Sequence, residues 1–377
     1  MLFIGIDVGA SFIKGAVLNT ESSSIEHVLR VPFPEFIPDL PPLHCEVDTK
    51  SIMKSVNTIL EQLLSLAPTC AGIVVCGQMG GIVLTNSLGE SISNYISWQD
   101  QRALKYLNIL ENRITSIESK HLGNEFKHNL PIATLLWLSE KKMLHGIPTS
   151  LPDFIVANLC GCSPITEATN AEAYGIYNIY SHDWDYGICL KLGLRGLLLP
   201  SLRQVGEIVG RFDGIPCYVA IGDQQCALLG ALLKENELSL NISTGCQVSI
   251  ISKLEYGDYQ IRPYFGKYMK TVTHIPAGRL LNALIKSCNL SWDEVIERID
   301  FREIIESISD NCYQAALRIS PEKEWTNLVL SGGLANKIGI LRQMIQQKFS
   351  IDYRIATAED TLNGLLIMAQ KTGGVNE

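Results

Sequence analysis

The sequence predicts an α/β protein of two domains that repeat one plan, a duplicated fold with a cleft between its halves. Three observations lead there. The chain has 377 residues, more than one ordinary core supports. An apolar strand, a turn of small residues and a returning apolar strand open the chain at Leu2–Ile6, Asp7–Ser11 and Ile13–Leu18. The same design recurs at Leu238–Ile242, Ser243–Gly245 and Cys246–Ile251. Between the two hairpins, an apolar run from Pro216 to Ile221 delivers a lone carboxylate, Asp223, at the head of an Ala/Leu helix. A carboxylate on a strand end is held by rigid backbone and can face a cleft as a general base. The bland alternative is that Asp223 only caps its helix.

In the first turn, Gly9 and Ala10 let backbone N–H groups approach an anion, Ser11 adds a hydroxyl and Lys14 a charge. Asp7 stands where a carboxylate can hold Mg²⁺ through water. A plain hairpin with ordinary turn chemistry is the competing reading. The proline-rich stretch 32–42 is a loop. Asp48 then caps a helix whose apolar positions Ile52, Val56, Ile59, Leu60 and Leu63 keep helical spacing. Ala71–Cys76 is a buried strand ending in Gly77-Gln78-Met79-Gly80-Gly81. Short strands at Ile82–Thr85 and Tyr95–Ser97 lead to Trp98-Gln99-Asp100-Gln101-Arg102. One aromatic face with an acceptor and a donor suits a polyhydroxylated ligand, the ring stacking on carbons while Asp100 and Arg102 bind hydroxyls. A surface ion pair opening the next helix is the alternative.

From Leu104 to Leu159 the pattern is mainly helical, and the small and aromatic residues of Thr166–Tyr180 belong to core or cleft wall. After the second hairpin, the strand Asn327–Leu330 runs into Ser331-Gly332-Gly333 and a helix from Asn336 to Phe349. Those glycines let a flat ring or a ribose approach backbone; a βα turn needing glycine for geometry alone is the alternative. Thr357-Ala358-Glu359-Asp360 reads as a capping box for a last helix, Thr361–Gln370.

Composition narrows the partners. A net charge of −8 argues against nucleic acid or an anionic membrane surface. The first residues lack a basic segment, and the apolar run 71–84 is interrupted by Gln78 and glycines, so neither a secretory signal nor a membrane span is expected. The eleven cysteines are scattered; Cys160-Gly161-Cys162 is the one close pair and has no second pair to complete a zinc site. Reduced thiols in a cytoplasmic protein are the expectation.

Taken in order, Asp7-Val8-Gly9-Ala10-Ser11-Phe12-Ile13-Lys14, Gly77-Gln78-Met79, Trp98-x-Asp100-x-Arg102, Gly222-Asp223-Gln224-Gln225, Ser243-Thr244-Gly245 and Ser331-Gly332-Gly333 with Asn336 resemble the motifs of the FGGY family of carbohydrate kinases. The likeness covers almost the whole chain and is greatest to the sedoheptulokinase branch. It implies an actin-like ATPase (ribonuclease H-like) fold, with a sugar-binding N-terminal domain at 1–235 and a shortened nucleotide-binding C-terminal domain at 236–377. It also implies ATP as co-substrate, Mg²⁺, Asp223 as the catalytic base, and Gln78, Met79, Trp98, Asp100, Arg102 and Gln224 around the sugar. Gly9, Ser11, Lys14, Thr244, Gly245, Gly332, Gly333 and Asn336 would then hold the nucleotide. Three differences stand out: Ala10 where the family usually has Thr, Gly80 where ketose kinases usually carry His, and the short interval from Gly245 to Ser331. The expected reaction is phosphorylation of a terminal hydroxyl of a ketose, sedoheptulose first, with domain closure excluding water. Another ketose or polyol (ribulose, xylulose, glycerol) and a non-catalytic sugar or nucleotide sensor are the alternatives. The partners expected are small molecules, with the chain a monomer or homodimer.

Overall fold

The computed structural model describes residues 1–125, 130–243, 245–278, 281, 299–357 and 359–373. Contacts divide the chain into two compact units, Met1–Gly230 with Glu359–Glu377, and Ala231–Ala358.

In the first unit, Leu2–Val8 (β1), Phe12–Asn19 (β2) and Ser24–Pro32 (β3) form an antiparallel meander. Nearly every residue of β1 is buried, which is why it reads as a continuous apolar run. Its free edge takes Cys70–Gly77 (β4) in parallel. Ile208–Phe212 (β5) and Ile215–Tyr218 (β6) make a hairpin whose second strand runs parallel to β4, and the two-residue strand Ile221–Gly222 (β7) pairs with β4 as well. Helix α1, Thr49–Leu66, joins β3 to β4, with Asp48 accepting from the N–H groups of Lys50 and Ser51 as its cap. Its expected stripe of Ile52, Val56, Ile59, Leu60 and Leu63 is buried against the sheet with Ile4, Ile6, Val17 and Val75. Further on come α2 (Leu151–Cys160), capped by Ser150, the single turn α3 (Ala168–Ala171) and α4 (Asp223–Gly230).

The second unit repeats the sheet plan. Glu237–Ile242 (β8) and Gly245–Ser252 (β9) are antiparallel, and β9 goes on to pair with the hairpin of Gln260–Tyr264 (β10) and Lys267–Pro276 (β11). The other edge of β8 takes Asn327–Ser331 (β12) in parallel, followed by Tyr353–Ile355 (β13). In both sheets, an antiparallel group is continued by strands parallel to its first member. Helices Ile299–Ile319 (α5), Gly333–Lys337 (α6) and Gly339–Phe349 (α7) accompany this sheet. The single helix expected over Asn336–Phe349 is broken at Ile338, whose backbone is extended and whose side chain is buried with Leu334 and Leu341. Among the described residues, no helix is long and apolar enough to cross a membrane.

The last helix, Asp360–Gly373 (α8), packs with the first unit, although 236–377 was expected to form one domain. Helical periodicity shows that a face is buried, not which sheet buries it. The contact with α4 runs through two glycines. A Cβ on Gly364 would lie 2.0 Å from the Cys226 carbonyl oxygen, and one on Gly230 would lie 1.8 Å from the Asp360 carbonyl oxygen. Backbone cannot give way as a side chain does, so Gly364→Ala is expected to cost about 3 kcal/mol or more. Chemical denaturation of the purified variant checks this; a loss below about 1 kcal/mol would mean that the helices separate easily.

Candidate active site

The first unit gathers its site where three parallel strands end. Across β4, Cys76 faces Asp7 of β1 on one side and Ile221 of β7 on the other; Gly77 likewise faces Val8 and Gly222. The residue after β7 is Asp223, so Asp7 and Asp223 flank the end of β4, two strand spacings or about 10 Å apart across the sheet and offset by two residues along it. The carboxyl ends of parallel strands are where α/β sheets place ligands.

Asp7 is buried. Its Oδ2 accepts a 2.7 Å hydrogen bond from Thr361 Oγ1 and lies 3.5 Å from Lys14 Nζ, while Oδ1 faces the Cys76 thiol at 3.8 Å. Lys14 bridges onward to Glu359 at 3.3 Å, and Arg30 pairs with the same carboxylate. Glu359 therefore serves these cations, and α8 starts at Asp360 in place of the expected Thr357 cap. Burial raises the Asp360 carboxyl to about 6, with the Lys14 charge opposing and Asp7 adding to the rise. The loop from Gly9 to Phe12 closes on itself through Gly9 N–H donating to the Phe12 carbonyl at 3.0 Å, which leaves Ser11 exposed at its tip.

Asp223 is partly exposed and opens α4, where the helix dipole favours a carboxylate. Gln224 and Gln225 behind it are buried. Met79 packs on Gly222, since a Cβ there would come within 2.7 Å of the Met79 sulfur. Gln78 reaches in two directions: its Nε2 donates to the Gly9 carbonyl at 3.4 Å, and its Oε1 accepts from Trp98 Nε1 at 3.0 Å. This side chain ties the phosphate-type loop to the aromatic wall. Gly80 has φ +83°, a conformation that disfavours the histidine expected by resemblance, and its missing Cβ would sit 3.4 Å from Trp98. Tyr95 lies under Gly81, its hydroxyl pushed up in pKa by burial and by the charge of Asp223.

Asp100 and Arg102 are brought beside Trp98 but are engaged with each other. Asp100 Oδ1 accepts from Arg102 N–H at 2.9 Å and Nε at 2.8 Å, while Oδ2 accepts from Arg102 Nη2 at 2.7 Å and from Cys45 N–H at 2.6 Å. Arg102 also donates to Glu46 at 2.6 Å and lies over the Trp137 ring, 5.1 Å from its centre. At 3% and 8% exposure, the pair spends its polar groups inside the fold and braces the loop that presents Trp98. The structure thus makes Asp100 and Arg102 a buried ion pair, not the surface pair of the alternative reading, with both Asp100 oxygens and the Nε and Nη2 groups of Arg102 engaged.

In the second unit, the two small-residue turns lie together at the ends of β8 and β12, where Asn241 pairs with Ser331. Ser243 Oγ accepts from Gly333 N–H at 3.2 Å, and Ser243 N–H donates to the Gly245 carbonyl at 2.8 Å. Gly332 has φ +90°, and a Cβ there would lie 2.5 Å from the Ile242 carbonyl oxygen. Gly245, Gly333 and Asn336 are exposed; Thr244 lies outside the described residues.

Behind β7 sits a group of buried carboxyls unmarked by any sequence pattern. Burial raises Asp153 to about 8, with the charge of Glu167 adding to it, and raises Glu167 itself to about 7. A carboxyl raised by folding favours the fold fully below its unfolded pKa of about 4. That contribution drains away as pH climbs through the folded values, and Asp360 acts in the same direction. The thermal unfolding midpoint is therefore expected to fall between pH 5 and pH 8. Asp153→Asn should flatten this slope in scanning calorimetry, and an unchanged slope would show that Asp153 is ionised in the fold.

Residues 2–230 match the model described as FGGY family of carbohydrate kinases, N-terminal domain. The sedoheptulokinase of Mus musculus is 23% identical over 331 residues, 75% of this chain and 68% of the mouse protein. That of Homo sapiens is 23% identical over 285 residues, 65% of this chain and 58% of the human protein. The crystal structure of ligand bound xylulose kinase from Lactobacillus acidophilus superimposes with a TM-score of 0.87 at 19% identity, over 100% of this chain and 90% of that one. This likeness shows the actin-like ATPase fold. With the family match spanning more than half of the sequence and every strand end described above for the first unit, the chain belongs to the FGGY family of carbohydrate kinases.

Proposed function

We propose that the protein is an ATP-dependent kinase for a ketose, transferring the γ-phosphoryl group to a terminal hydroxyl, with sedoheptulose as the acceptor and sedoheptulose 7-phosphate as the product. The observation that carries this reading is the placement of Asp223: partly exposed, at a parallel strand end, beside Met79 and across β4 from Asp7. The similarity to two sedoheptulokinases supports the choice of acceptor. A cytoplasmic location, as a monomer or homodimer, accords with such a reaction.

In this reading Asp223 accepts the proton of the acceptor hydroxyl as that oxygen attacks phosphorus. The transition state is loose and the proton leaves late, so position matters more than basicity. Trp98 offers a face to the sugar carbons, held by Gln78, with Asp100 and Arg102 bracing its loop; Met79 and Gln224 complete the sugar side. Lys14, Gly9 and Ser11 address the phosphates from the first turn. Within the second unit, the exposed Gly245, Gly333 and Asn336, with Thr244, are the groups offered to a nucleotide. The donor set suits a hydrated Mg²⁺: Asp7 presents hard carboxylate oxygens, with no cluster of three or more His, Cys, Asp or Glu ligands among the described residues to replace its water. Asp7 would hold it through water, and the bound ion would spread the charge of the phosphoryl group.

ADP release measured with sedoheptulose, ribulose, xylulose and glycerol tests the proposal. The highest kcat/KM is expected with sedoheptulose, and Asp223→Ala is expected to lose about 10³-fold or more in kcat while still binding ATP in calorimetry. Near-full turnover in that variant would remove Asp223 as base. Tight sugar binding without ADP release from any acceptor would favour the sensor.

A further inference from the structure

Thr169 and Asn170 lie directly behind the strand that ends in Asp223, each 1% exposed. The Gly222 N–H donates to Thr169 Oγ1 at 2.8 Å, and that hydroxyl in turn donates to Glu167 Oε1. Asn170 Nδ2 donates to the Ala220 carbonyl at 3.1 Å and to Asp153 Oδ1 at 3.3 Å, while Ser150 Oγ donates to Asp153 Oδ2 at 2.6 Å. Two neighbouring side chains thus grip the backbone on either side of Ile221, one taking an N–H and the other a C=O. Each is anchored from behind by a buried carboxyl.

The grip has a physical purpose because β7 is short. Its register with β4 rests on Ile221 and Gly222 alone, too few ladder bonds to hold a strand end rigidly. Gly222 adds to the freedom, since glycine restrains its own backbone least. Side-chain bonds from α3 supply what the ladder lacks. Burying carboxyls costs stability, and here the cost is borne next to a two-residue strand that runs into the partly exposed Asp223.

We propose that Thr169 and Asn170 are positioning residues for Asp223, locking the Ala220–Gly222 backbone so that the following carboxylate meets the acceptor hydroxyl in line. The proposal rests on the reading of Asp223 as base. A displacement near 1 Å at a reacting group costs on the order of 10²-fold in rate, so the effect falls on turnover and not on binding.

The test is single-turnover and steady-state kinetics of Thr169→Val, Thr169→Ser, Asp223→Asn and the Thr169→Val/Asp223→Asn pair. Hydrogen exchange at the Gly222 amide is followed alongside. Thr169→Val keeps shape and removes the hydroxyl. It is expected to lower kcat about 10- to 100-fold, leave both KM values within about threefold, and speed exchange at Gly222. Thr169→Ser is expected to restore kcat. In the Asp223→Asn background, removing the hydroxyl is expected to cost almost nothing further, because residues that act as a unit are not additive. Should Thr169→Val fail to fold, Thr169→Ala replaces it throughout. Wild-type kcat in Thr169→Val, with Asp223→Asn inactive, would overturn the positioning role and leave the base standing. An equal loss in both backgrounds, or raised KM values, would overturn it in favour of a general structural role. Near-full activity in Asp223→Asn would overturn the base and this proposal together.

Discussion

The parallel pairing of β4 on both its edges is the constraint on which the first unit depends. Because β4 ends in glycine with β1 and β7 in step beside it, two acids come to lie at one rim. Gly77 itself has little room: a Cβ there would meet Val8 at 3.1 Å. The chain then turns straight into Gln78, whose amide hooks the loop after β1 on one side and the indole of Trp98 on the other. Strand register, in this arrangement, decides where chemistry can occur, and single hydrogen bonds set the surrounding walls.

Electrostatics at the rim are supplied from far along the chain. Asp7 is steadied by the Thr361 hydroxyl and Lys14, and Lys14 shares Glu359 with Arg30. These contacts require α8 to lie against α4, and the close approach through Gly230 and Gly364 makes that possible. Asp7 is thus held in place by one cation that it shares with Glu359 and by one hydroxyl. The second unit repeats the sheet plan but not the charges; its strand ends carry small residues and exposed backbone, suited to anions and flat rings.

Much of this was legible beforehand. The Asp48 cap and the stripe of α1 are local signals with a 3.6-residue period, and they hold because nothing distant competes with them. The order of motifs, from Asp7 through Gln78, Asp223 and Gly245 to Gly332, follows strand ends, which glycine and small polar residues punctuate. The Asp100–Arg102 pair shows where such reading stops. A donor and an acceptor two residues apart look the same whether they serve a ligand or each other, and only the depth of burial distinguishes the cases. Thr169 and Glu167 were invisible for a related reason: a threonine among small residues carries no period and no motif, and its importance comes from the strand it touches.

Sequence alone determined the two-fold α/β plan and the family, because these are carried by local periodicity and by short motifs in a set order. Tertiary structure decided that the last helix belongs to the first unit, that Asp100 and Arg102 pair in the interior, and that buried hydroxyl, amide and carboxyl groups grip the strand before Asp223. Those outcomes depend on which distant surfaces meet and which polar groups are already satisfied when they do, and neither is encoded in the spacing of residues along the chain.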